Sequence, residues 1–330
     1  MRTQSANPSI SDRTFGFSRA MKLRFVVTYI WTKCVSFWYE VKAPRFRLFA
    51  YEVVYSICRA IGSPPPRLEW LGLKRVATTF GVFHIRPGTT DAACVSPGFE
   101  RPDLNHLIDL LNQRLSAGRT VLFLDVGADV GTYAISVANR LRNLGQISVL
   151  AFEPARSSYE LLSENVSVNG LNEIVEPRQL CLGDGSIDSA TLMSNPLEPG
   201  GRSLNASLVW HPEITEKVAM STIDKQVNVE MLADVVALKL DVEGSETAVL
   251  NGATATLASA KEVLLVVEDF IDTSIISYLQ ENGWSFLEKL TPYNSFWSYS
   301  SRRPVTTSAA ARLGAVVFFA AEASAGERAA

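Results

Sequence analysis

Histidine and paired cysteine are almost missing from this sequence. Its three histidines, His84, His106 and His211, are scattered. They offer no metal-ligand spacing, which excludes a structural zinc site. The four cysteines, Cys34, Cys58, Cys94 and Cys181, form no C-x-x-C pair. That excludes a dithiol motif and leaves them as small buried hydrophobes in a reducing compartment. Long apolar runs are missing too. In the aromatic stretch 23–39 the longest charge-free run is 25–32, well short of the ~20 residues a spanning helix needs. No small-residue cleavage site follows it, as a signal peptide would require. Basic residues cluster at one end only: residues 1–60 hold ten against three acids, a charge of +7 that leaves −10 for the rest of a chain whose net is −3. Beyond residue 60 no basic block suggests a nucleic-acid partner.

What is present is organised around 121–131, Val-Leu-Phe-Leu-Asp-Val-Gly-Ala-Asp-Val-Gly. The apolar run 121–124 suits a parallel strand buried on both faces. Asp125 ends it, Gly127 and Gly131 follow, and 133–141 reads as a helix with Ile135, Ala138 and Leu141 on one stripe. Strand, glycine turn and helix make a nucleotide-binding unit, because glycine lets backbone approach a ligand and a helix start offers free N–H groups. The third glycine of G-x-G-x-x-G is absent, and Asp125 before the first would repel a pyrophosphate. An acid there suits a ligand carrying an ammonium or sulfonium, and S-adenosylmethionine carries both. The next strand, 147–152, ends at Glu153, placed to accept both ribose hydroxyls of an adenosine.

These residues, with Phe152-Glu-Pro154 and Lys239-Leu-Asp-Val-Glu-Gly-Ser-Glu246, resemble the FkbM-type methyltransferases over 75–320. The resemblance implies an S-adenosylmethionine-dependent enzyme, typified by O-methylation of natural products. It departs at Asp129, where the family usually carries Asn, so the cofactor loop gains a negative charge. It also implies that the long segment 186–220 builds over the active site, and that 313–320 is the antiparallel insertion strand.

The rest of the chain fits an α/β frame. Residues 1–20 are polar and read as disordered. A helical extension is expected over 21–62, either packed on the catalytic domain or lying on a membrane surface with its aromatic and basic residues in the headgroup layer. Ser63 and Pro64 to Pro66 form a stiff linker, a methyltransferase domain spans 67–320, and 321–330 is a flexible tail. Short strands at 75–80 and 81–86 suggest a hairpin, and 102–115 a helix. Strands follow at 175–182, 235–240, 263–267 and 284–290, and helices at 157–168, 247–257 and 271–280. Alternating strands and helices predict a Rossmann-like methyltransferase fold, a mostly parallel seven-stranded sheet with helices on both faces. With order 3-2-1-4-5, ligand binds where the order reverses.

Asp125, Gly127, Asp129, Gly131 and Glu153 are therefore the candidate cofactor residues, with Asp184 after the third strand as a candidate for the adenine amino group. Asp184 reads equally as an Asp-Gly turn. An alcohol acceptor must lose a proton, and the candidate bases are Asp241, then Glu243, then His211. Helix capping is the competing reading for Asp241 and Glu243. No resident metal is expected, although Asp241, Glu243 and Glu268 present an alternative cation set. The expected partner is a small-molecule or glycan acceptor in the cytoplasm, with peripheral membrane contact through 21–60 as the alternative to a packed extension. A catalytically silent methyltransferase-fold scaffold is the competing function.

Overall fold

The chain leads into its sheet through a small hairpin. In this computed structural model the described residues are 57 and 74–300, apart from 88, 96–99, 197, 210–211, 229–230 and 271–272. The extension, linker and tail, Ile57 excepted, lie outside them, as do His211 and the strand expected at 313–320. Strands β1 (Arg75–Ala77) and β2 (Val82–His84) pair antiparallel, as expected. A short helix α1 (Asp91–Cys94) and the long α2 (Arg101–Ser116) follow. Pro102 opens α2, where its missing N–H costs nothing.

The core alternates. Strand β3 (Val121–Val126), helix α3 (Thr132–Leu141), strand β4 (Ile147–Phe152), helix α4 (Arg156–Val168) and strand β5 (Val175–Arg178) come first. An excursion of β6 (Cys181–Leu182), β7 (Ser189–Asn195), β8 (Glu198–Ser203) and β9 (Ile214–Ser221) leads to a short α5 (Ile223–Gln226). Strand β10 (Val235–Leu240), helices α6 (Glu246–Asn251) and α7 (Thr254–Ser259), β11 (Glu262–Glu268), α8 (Ser274–Glu281), β12 (Ser285–Glu288) and β13 (Asn294–Tyr299) complete it. The main sheet has seven strands in the order β12-β13-β11-β10-β3-β4-β5. Its parallel part reverses between β3 and β10, as the sequence predicts. Every residue of β3 and β10 is buried, which is why both strands are apolar except for Asp125 and Lys239 near their ends. Phe123, Leu107 and Ile135 pack in the core on one face, and Leu122, Leu124, Leu238 and Ile275 in that on the other.

Four expectations are corrected. The strand expected at 175–182 is two, because Pro177 cannot donate to a ladder and confines β5 to the sheet edge; β6 then joins another sheet. No strand is expected within 186–220, yet β7 and β9 pair antiparallel there, giving a four-stranded sheet β6-β9-β7-β8. The helix expected over 247–257 breaks at Gly252, whose carbonyl accepts from Asp224 N at 3.0 Å. A Cβ on Gly252 would lie 2.0 Å from the Gly183 carbonyl oxygen. Finally, β13 takes the antiparallel place beside β11.

Candidate active site

The turn after β3 is bent by necessity. Asp241 N donates to Val126 O at 3.1 Å, continuing the parallel ladder to its end. Gly127 therefore lies against the β10 backbone: a Cβ on it would sit 1.9 Å from the Asp241 carbonyl oxygen, and its φ is 85°. The space that glycine leaves is thus filled by the neighbouring strand end. Asp129 is also left-handed, with φ 44°. Gly131, φ 92°, starts α3.

Asp125 sits behind this turn, not in the cleft. It is 2% exposed, and its Oδ2 accepts from Ala134 N at 2.8 Å in the first turn of α3. Burial pushes its carboxyl up to about 7, against the attraction of Lys239. Its side chain holds the helix to the strand.

The cleft lies over the ends of β3, β4 and β10, with β6 and β8 as its other walls, and encloses about 540 Å³ including its open mouth. Gly127, Asp129, Glu153 and Asp241 all line it. The topology thus brings residues more than a hundred positions apart into one crevice. Gly131, Asp125, Asp184 and Glu243 are not in the lining. Asp184 is exposed in an Asp-Gly turn and accepts from Ser186 N at 2.9 Å, as the turn reading expects.

Glu153 is buried, yet both its oxygens are held: Oε2 by Asp129 N at 3.0 Å and Oε1 by Ala155 N at 2.8 Å. Burial raises its pKa to about 7, partly offset by Arg202. Asp129 shows the opposite balance. Burial pushes its pKa up, but Arg86 and Arg202 outweigh this and hold it below the usual carboxylate range. Arg86 Nη2 donates to both Asp129 Oδ1 at 3.0 Å and Asp91 Oδ1 at 2.8 Å, while its Nε binds Asp91 Oδ2 and its Nη1 binds Ser158 Oγ. Leu180, Leu182, Leu192 and Leu204 supply apolar wall.

On the other side of the cleft, Lys239 is 1% exposed near the end of β10. Its Nζ meets Asp241 Oδ2 at 3.1 Å and lies 5.2 Å from the Tyr133 ring centroid. Burial lowers its pKa, but Asp241, Glu100 and Glu268 together raise it above the ordinary value. Tyr133 Oη and Asn294 Nδ2 both donate to Glu100 Oε2, at 2.8 and 2.9 Å. Glu243 (φ 50°) and Glu268 complete an acidic group with Asp241, in which one ligand atom from each lies within 4.8 Å of the others. Burial, then Asp241 and Glu243, raise the Glu268 pKa well above its usual range.

Sequence reasoning missed Arg86, Arg202 and Ser158 entirely, and gave Lys239 no role. The extra charge of Asp129 was the available signal, since a buried acid demands a cation.

A family model described as the methyltransferase FkbM domain matches residues 125–286. Methyltransferase sdnD of Sordaria araneosa is 30% identical to this chain, over 39% of this chain and 59% of its own length. The chain thus spans less than two thirds of that curated relative. Among solved structures, a methyltransferase FkbM from Methylobacillus flagellatus KT aligns at 16% identity, covering 55% of this chain and 44% of its own, with a TM-score of 0.38. A putative tRNA (m1A22) methyltransferase of Streptococcus pneumoniae, in complex with S-adenosyl-L-methionine, aligns at 16% identity over 61% and 75%, TM-score 0.37. At such TM-scores the fold rests on the sheet order described above.

Proposed function

We propose, from the match of residues 125–286 to the FkbM methyltransferase model, that the protein belongs to that family and O-methylates a hydroxyl of a small molecule, glycan or natural product, using S-adenosylmethionine. One observation carries the reading: Gly127, Glu153 and Asp241 line a single cleft at the strand-order reversal, where ligands bind in open α/β sheets. The donor set fits the cofactor. Glu153 offers lone pairs to ribose hydroxyls, the leucines of the cleft wall suit an adenine, and the strained turn 127–131 presents backbone to the methionine end. When bound, adenosylmethionine supplies a methyl group already activated on sulfur.

The chain's own task is to hold the acceptor and take its proton. Asp241 is the base. Lys239 fixes one of its oxygens by a charge-assisted bond of 3.1 Å, so the carboxylate is oriented before an acceptor arrives. Loss of such a base costs about 10²- to 10⁴-fold in rate. Glu243 is the second candidate. The approach of Asp241, Glu243 and Glu268 favours a second reading, in which a divalent cation activates the hydroxyl.

Label transfer from methyl-labelled adenosylmethionine into fractionated metabolite extracts tests the proposal. Transfer by the wild type, with Asp241→Asn reduced at least ~10²-fold and cofactor affinity kept, supports it. Cofactor binding without transfer to any fraction would favour the silent scaffold. Activity unaffected by EDTA would dismiss the cation.

A further inference from the structure

Arg202 lies outside every motif, yet it sits at the centre of the cofactor side of the cleft. It comes from β8, and its side chain is 9% exposed. Its Nη1 donates to Ser158 Oγ at 2.7 Å and lies 3.5 Å from both Asp129 Oδ1 and Glu153 Oε1. Ser158 Oγ also accepts from Arg86 Nη1 at 2.9 Å and donates to Asp129 Oδ1 at 2.5 Å. The other groups around Glu153 are Asp129 itself and the Cys181 thiol on β6, pushed up to about 11 by burial and then by Glu153. Of the two guanidiniums, Arg86 divides its charge between Asp91 and Asp129, and Arg202 reaches Glu153. Strand β8 packs against this group: a Cβ on Gly200 would touch Asp129 Oδ2 at 3.4 Å, an ordinary contact, and that oxygen has no hydrogen-bond partner among the described residues.

We propose that Arg202 is the positioning residue of the cofactor cleft, bridging Asp129 and Glu153 so that Glu153 can ionise beside a charged Asp129 and both stay in place, and so tying the β7–β8 hairpin to the glycine turn. The proposal rests on the cofactor reading above. Two adjacent buried carboxylates repel, and one must take a proton unless a cation lies between them. A protonated Glu153 turns one ribose-accepting oxygen into a donor. Arg202 therefore sets the pH range over which the cleft accepts its cofactor.

The test is titration of Glu153 in the full chain by carbon NMR of labelled glutamate carboxyls, the signal being assigned with Glu153→Gln, beside calorimetry of adenosylmethionine between pH 6 and 9. Arg202→Gln should raise the Glu153 midpoint by about 1 pH unit and move the pH dependence of binding with it. Arg202→Lys should restore most of both. Asp129→Asn, which removes the neighbouring acid and keeps the arginine, should lower the midpoint, and it serves where Arg202→Gln does not fold. An unmoved midpoint in Arg202→Gln or Asp129→Asn, or a lysine no better than glutamine, overturns the proposal. A midpoint that moves as expected in a wild-type protein that binds no adenosylmethionine would leave Arg202 its place and refute the cofactor reading alone.

Discussion

Replacing Asp125 by asparagine should stabilise the protein, and by an amount that depends on pH. Asn keeps an oxygen for Ala134 N, so the 2.8 Å bond to α3 survives. What disappears is a buried charge. The Asp125 carboxyl is raised from its ordinary 3.8 to about 7. The folded state therefore binds a proton that the unfolded chain releases between those values, and stability falls as pH rises through that window. At 1.36 kcal/mol per pH unit the loss approaches about 4 kcal/mol above pH 7. Asn does not titrate. The stability difference between variant and wild type should thus be smallest near pH 4, grow by about 1.4 kcal/mol per unit and level off above pH 7. Because the other buried acids titrate in both proteins, the difference isolates Asp125. Urea denaturation at half-unit steps from pH 4 to 8.5 measures it. A difference that does not change with pH, or a variant destabilised most at high pH, would show that Asp125 is ionised in the fold, and the argument from burial would fail.

Other outcomes follow from the same geometry. Gly127→Ala should cost about 3 kcal/mol or more, since its Cβ meets the Asp241 carbonyl oxygen at 1.9 Å; thermal unfolding within a degree of wild type would contradict the close approach. Glu153→Ala should weaken adenosylmethionine by about 2 kcal/mol through loss of a charged acceptor, and unchanged calorimetric affinity would place the ribose elsewhere. Among the described residues no helix is long and apolar enough to cross a membrane. The +7 charge of residues 1–60 predicts salt-sensitive flotation with anionic liposomes that a chain starting at Ser63 loses. Absence of flotation combined with inactivity of the shortened chain would point to a lid over the acceptor site.

The parallel core was legible because its signals are local. Val121 to Leu124 and Val235 to Leu238 are buried on both faces, and such strands have no alternation to confuse them. The edges were harder. In β13, Ser295 and Ser298 interrupt the apolar pattern, and the strand is held by its pairing with β11 and by Trp297 donating to Ser295 Oγ at 2.8 Å. The β7–β8–β9 excursion is rich in polar residues and glycine, and its strands exist through each other's ladders. Asp184 and Asp125 show the same limit at single residues. Both are acids at strand ends, but one caps a turn in solvent and the other is drawn beneath α3.

The sequence by itself determined the strands and helices of the parallel core, the glycine turn at 127–131 and the acids at the strand ends, since each depends on a residue and its near neighbours. Only the tertiary structure decided which of those acids share a cleft, and which cations answer them. Arg86, Arg202 and Lys239 come from a leading hairpin, a second sheet and the middle of the core. Nothing in the residues beside them says where they go. A buried carboxylate sets a requirement for a cation in space, and folding alone decides which part of the chain meets it.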